Sequence, residues 1–123
     1  MDYALIKVLQ EELGGGIKGY VENKPEGTPY PAFVVSSSMS RGEDIYDNNG
    51  KPFGYDYTVQ INLIDSKYRP IRVLRDKVLA YLDGFRGDLE GFDVIDCRLN
   101  TSSLTMSLNK NYEAVLFFSL STK

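Results

Sequence analysis

Apolar residues recur with a helical period at the start of the chain. Leu5, Val8, Leu9 and Leu13 share one face while Lys7, Gln10 and Glu11 point outward, which predicts an amphipathic helix over residues 2–13. Gly14-Gly15-Gly16 stops it, since glycine readily takes the left-handed conformation at a helix end. The segment 24–31, punctuated by Pro25, Pro29 and Pro31, reads as an extended connection delivering the chain into a strand.

Strands are predicted at 32–40 and 55–65. In the second, Tyr55, Tyr57, Val59, Ile61 and Leu63 alternate strictly with Asp56, Thr58, Gln60 and Asn62. Asn49-Gly50 between them is a hairpin signal. An unbroken hairpin centred there would oppose Val59, Ile61 and Leu63 to Ser40, Ser38 and Ser36. Slipping by one residue opposes them to Met39, Ser37 and Val35 and brings Phe33 onto the same face, so the slipped register is expected, with a bulge at Gly42 or Gly54. The tip, residues 41–54, is then expected to project as an arm.

A second helix is predicted over 70–82. Pro70 suits its first turn, Ile71, Leu74, Val78 and Leu82 form its buried stripe, and Gly84 ends it. Further strands are expected at 92–99, 104–108 and 112–120. The expected fold is a single α+β domain over 1–123, in the order α-β-β-α-β-β, with helices on one face of a mostly antiparallel sheet and a long β-hairpin arm.

Composition narrows the function. A chain of 123 residues with 42% hydrophobic and 25% charged residues is that of one ordinary globular core. The net charge of −3 argues against a nucleic-acid or membrane-surface binder, both of which gain affinity from a basic surplus. No apolar run reaches the length of a membrane span, and Met1-Asp2-Tyr3 lacks a signal peptide's basic start. The single Cys97 fits a reducing compartment, so the chain is expected to fold inside the cell.

Catalytic chemistry is hard to find. The chain has no histidine, which removes the commonest general base and metal ligand. Cys97, expected on one strand face with Ile95 and Leu99, reads as a core residue. Glu43, Asp44 and Asp47 fail the ligand spacing of a calcium loop, and Gly14-Gly15-Gly16-Ile17-Lys18 follows a helix and lacks the Ser/Thr of a phosphate loop. Carboxylate catalysis through Asp44 or Asp96 would need a pocket that raises a pKa. No catalytic residue, cofactor or metal is expected. Phe53, Tyr55 and Tyr57 partly match the aromatic strand of RRM-type RNA binders, but Pro52, Asp56 and Thr58 break that motif.

What remains is charge placed for contact. Arg69, Arg72 and Arg75, with Lys67 and Lys77, put positive charge on the second helix, near an N-terminus whose dipole disfavours it. Acidic Glu43, Asp44 and Asp47, with Arg41 and Tyr46, sit on the expected hairpin tip. A head-to-tail contact between tip and helix of neighbouring copies would make a ring if it closes.

The opening helix, the approach Pro29-Tyr30-Pro31-Ala32-Phe33-Val34-Val35, the strand Tyr57-Thr58-Val59-Gln60-Ile61-Asn62-Leu63, the helix ending Leu82-Asp83-Gly84 and the apolar closing strand at 114–120 resemble, in order and spacing, the tail-completion proteins of long-tailed bacteriophages and prophages. The resemblance implies a non-enzymatic virion protein, made in the bacterial host cytoplasm and placed at the tail or neck. It implies a ring of copies, commonly six, that caps the tail tube, meets the tail-tube and head-connector proteins and lets DNA pass without specific binding. An RRM-like RNA-binding module and another neck or minor capsid component are the alternatives.

Overall fold

The computed structural model describes residues 1–25, 27, 29–41, 54–106 and 111–123. The elements run α1 (Asp2–Leu13), β1 (Lys18–Val21), β2 (Ala32–Arg41), β3 (Tyr55–Asp65), α2 (Tyr68–Leu82), β4 (Gly87–Leu89), β5 (Phe92–Met106) and β6 (Tyr112–Thr122). They form one six-stranded sheet ordered β1-β2-β3-β6-β5-β4, in which only β1 and β2 run parallel.

Both helices lie on one face of the sheet and touch each other, α1 over β1, β2 and β4, α2 over β3, β5 and β6. Their stripes (Leu5, Val8, Leu9 and Leu13; Ile71, Leu74, Val78 and Leu82) close onto Phe33, Val35, Val59, Ile61, Leu63, Leu116 and Phe118. The α+β class and helix layer agree with expectation; the element order does not. Two short edge strands extend it to α-β-β-β-α-β-β-β. The expected strand at 92–99 and the described part of that at 104–108 are one continuous β5, while 107 and 108 lie outside the described residues.

The edge strands have local causes. Gln10, expected to point outward from α1, accepts a hydrogen bond through Oε1 from the Gly19 amide at 2.9 Å, tying β1 to the helix. Gly19 has no side chain because the Phe33 ring and the Ile6 methyl occupy that space. At the other edge, Gly84 turns the chain out of α2 at φ 84° and donates to the Cys97 carbonyl at 2.7 Å.

The β2–β3 register differs from the expected one by two residues. Val59 pairs with Ser37, Ile61 with Val35 and Leu63 with Phe33. The face was read correctly, but this pairing opposes the largest apolar residues of both strands beneath the helices, which the looser register does not. The ladder runs without a shift to Arg41 opposite Tyr55. Gly42 and most of the expected arm, 42–53, lie outside the described residues. Gly54 serves another purpose, since a side chain there would strike the Thr122 carbonyl.

Bulges fall instead in β5, between Val94 and Asp96 and between Leu99 and Thr101. The first corrects the expected neighbours of Cys97: Val94 is buried near it, while Ile95 is half exposed. An inserted residue reverses the alternation that pattern reading assumes.

Candidate subunit interface

The sequence-derived contact residues separate into two groups. Arg69, Arg72 and Lys77 are exposed on α2, and Lys67 is exposed just before it. Arg75 is partly covered and bonds the adjacent Asp76 at 3.3 Å, the only ion pair on this helix among the described residues. Arg41 ends β2 opposite Tyr55. Glu43, Asp44, Tyr46 and Asp47 lie outside the described residues.

The face of α2 turned from the core is therefore basic, and it begins badly for an isolated helix. Lys67 occupies the N-cap position without a side-chain capping bond, and the first turn holds no acid. Orphan amides and cations share one end, where an anion would be stabilising. Pattern reading missed the apolar part of this face. Tyr68 and Val73 are each 48% exposed, and the Arg72 guanidinium lies 5.8 Å from the Tyr68 ring. Val73 stands off the 71-74-78-82 stripe, which was the available signal. Arginine beside exposed aromatic and aliphatic groups is the composition of protein contact surfaces.

The sheet face away from the helices mixes polar and apolar residues, with the carboxylates of Asp56 and Glu113 among them. Cross-strand rows place Ser36, Gln60, Phe117 and Thr101 side by side, and Val34, Asn62, Val115 and Ser103 beneath them. The amides are already engaged: Gln60 Nε2 donates to Asn62 Oδ1 at 2.9 Å, and Asn62 Nδ2 to Glu113 Oε1 at 2.6 Å. Ser121 donates to Asp56 at 2.7 Å. Such a chain fixes side chains before any partner arrives.

The RNA reading meets a geometric obstacle. Tyr55 and Tyr57 pair with Thr122 and Leu120 on the helix side, whereas Asp56 takes the open side. Tyr57 is half-buried against Phe92, edge to face at 6.4 Å, and burial pushes its hydroxyl pKa up. RRM-type stacking needs those rings on the open face. Phe53 lies outside the described residues.

The candidate catalysts are dispersed. Cys97 is buried, and desolvation, followed by the charges of Asp83 and Asp96, pushes its thiol up to about 12. A neutral thiol there is a poor nucleophile. Asp96 pairs with Arg98 at 3.0 Å on the surface. Among the described residues no three His, Cys, Asp or Glu side chains gather as metal ligands, and no helix is long and apolar enough to cross a membrane.

Neither family models nor curated protein sequences match the chain. Among solved structures, a chain from the virion of a native gene transfer agent particle is similar in fold, with a TM-score of 0.60 and 16% identity, covering 94% of this chain and 84% of that one. The likeness spans the helix layer and the sheet together, so the fold it shares is the whole arrangement described above.

Proposed function

We propose that this protein is a structural component of a phage or prophage virion, a ring-forming tail-completion subunit without enzymatic activity. The observation that carries the reading is the likeness, over 94% of the chain, to a chain of a virion particle. The sequence segments that resemble tail-completion proteins point the same way. In this reading copies of the chain form a ring, six being the expected number. The ring sits on the tail-tube protein at the tail–neck junction and presents its other side to the head connector. The exposed Arg69, Arg72, Tyr68 and Val73 surface of α2 meets a neighbour's acidic group, for which Glu43, Asp44 and Asp47 are the candidates. A subunit of net charge −3 also suits a channel through which DNA slides without sticking.

The test is sedimentation over a wide concentration range, with and without purified tail tubes. Self-association or co-sedimentation with tubes is expected, and Arg69→Glu with Arg72→Glu should weaken it at least tenfold while leaving the circular dichroism spectrum unchanged. A protein that remains monomeric throughout and ignores tubes would end this reading.

A further inference from the structure

The sheet has two unfinished edges, and they fit each other. On one side, β1 covers β2 only from Ala32 to Val35, and the Glu22 amide adds a bond to the Val35 carbonyl at 3.1 Å. Beyond this, residues 36–41 of β2 have no backbone partner on their outer side among the described residues. On the other side, β4 covers β5 only from Phe92 to Val94, after which Gly84 and the Asp83 carboxylate take the Cys97 carbonyl and the Leu99 amide. Residues 100–106 of β5 then run open among the described residues.

Open edges invite pairing, and natural sheets blunt them with Lys, Pro, inward charges or bulges. Of these devices the edges carry Arg41 at the end of one and the bulge between Leu99 and Thr101 at the start of the other, which leaves 36–40 and 101–106 without them. The open part of β2 reads Ser36-Ser37-Ser38-Met39-Ser40-Arg41, and that of β5 reads Asn100-Thr101-Ser102-Ser103-Leu104-Thr105-Met106. Each holds a methionine held out to solvent, Met39 at 59% and Met106 at 61% exposure.

We propose that the β2 edge of one copy pairs antiparallel with the β5 edge of the next, joining successive copies into one continuous sheet. The occupant of each edge is thus a second copy of this chain. Three features of the geometry carry this. Counting across β2, β3, β6 and β5, each strand antiparallel to the last, β5 runs opposite to β2. A neighbour with its helices on the same side therefore presents β2 antiparallel to β5. Second, the steps are complementary. Setting Ser38 of the neighbour opposite Ser103 pairs 36–40 with 105–101, short of the bulge at Asn100, leaving the neighbour's β1 level with Met106 and beyond, and this copy's β4 beyond the end of the neighbour's β2. Met39 then lies diagonal to Leu104 on the helix side, within cross-strand reach.

Third, the stagger suits closure. Within one subunit Ser103 stands level with Val34, through Val115 and Asn62. Pairing it with Ser38 displaces each copy by four residues, about 13 Å along the strands, across four strands that span about 19 Å. That inclines the strands by about 35°, within the range of closed barrels. A two-fold pairing of β5 with β5 would use one edge and leave β2 open, whereas the head-to-tail contact uses both and repeats.

This pairing rests on the ring reading, and disulfide trapping separates the two. Ser38→Cys and Ser103→Cys are made as single variants, with wild type, whose one cysteine is buried, as the blank. Oxidation of the mixed variants should give a linked pair at least tenfold more abundant than either variant alone gives, and the double variant should give a ladder of linked oligomers. The pairs Ser36→Cys with Thr105→Cys and Ser40→Cys with Thr101→Cys cover the same register. Strong linkage of Ser103→Cys alone would mean symmetric β5 pairing and overturn the proposal. Oligomers in light scattering without linkage at any of these pairs would overturn the edge pairing and leave the ring standing. A monomer at every concentration, with and without tail tubes and with no linkage, would overturn both.

Discussion

Replacing Gly19 by alanine is a small change that interrogates how β1 is held to the core. Gly19 lies in β1 and is not among the glycines with positive φ, so alanine meets no backbone penalty. Restricting the unfolded chain would by itself stabilise the protein by about 0.4–1 kcal/mol. Against this, the new methyl would enter space held by the Phe33 ring and the Ile6 Cγ2 atom, the latter 2.9 Å away. Phe33 is fully buried, so its ring cannot swing into solvent. Overpacking of this kind costs about 1–3 kcal/mol, and the steric term wins by about 1–2 kcal/mol. Urea denaturation followed by circular dichroism measures it, as a lower midpoint with an unchanged slope. The decisive comparison is made in a Phe33→Leu background, where the shorter side chain vacates the contested space. There Gly19→Ala should cost little or become stabilising, a coupling that a double-mutant cycle reads directly. An identical cost in both backgrounds would refute the account.

Gly54→Ala should destabilise more than Gly19→Ala in the same assay, because the obstacle is the Thr122 carbonyl, backbone that cannot rotate aside. Lys67→Asp, which supplies the missing N-cap acceptor and an acid at the α2 N-terminus, should raise stability by about 1 kcal/mol, seen as a higher thermal midpoint; no rise would show that the helix end is already satisfied. For Cys97 the folded pKa is raised from its ordinary 9.0 to about 12. Its burial as a neutral thiol therefore contributes stability that is fully present below pH 9 and is lost as pH rises toward 12, and Cys97→Ala should flatten stability against pH in that window. Phe118→Ala, at a fully buried centre of β6, should cost about 3–5 kcal/mol, a large share of the stability of a small domain.

The sequence was readable where one period held long enough to accumulate. The stripe of α1 and the alternation of β3 identify those elements with their boundaries, since several positions agree on which face is buried. Legibility failed where local signals are short or where an element depends on distant chain. β1 is four residues with a glycine inside, and it is a strand because Gln10, Phe33 and β2 make it one. β4 is three residues completed by the turn at Glu90 and Gly91, both at positive φ. The β2–β3 register was missed for a related reason. A turn signal fixes pairing only when it sits at the centre of the loop, whereas here the apolar pairs Phe33–Leu63 and Val35–Ile61 decide it.

The contact surface was half legible for the opposite reason. Charges in a sequence show which residues are out of place, and Arg69 and Arg72 near a helix start were visible as such. Backbone edges leave no such trace. Whether Ser103 is inside a sheet or at its border depends on where β4 stops, and β4 was itself invisible. Yet the two observations bear on each other once the fold is known. A helix start without a capping side chain and strand edges with one charge between them, Arg41, both depart from local rules in one small protein; the first costs stability in the isolated subunit and the second leaves it open to pairing. Neighbouring copies would supply a strand to each edge, and an acidic group of a partner would supply the charge missing at the start of α2. If so, Lys67→Asp should stabilise the subunit while weakening its association, an inverse relation that a merely imperfect helix would not produce.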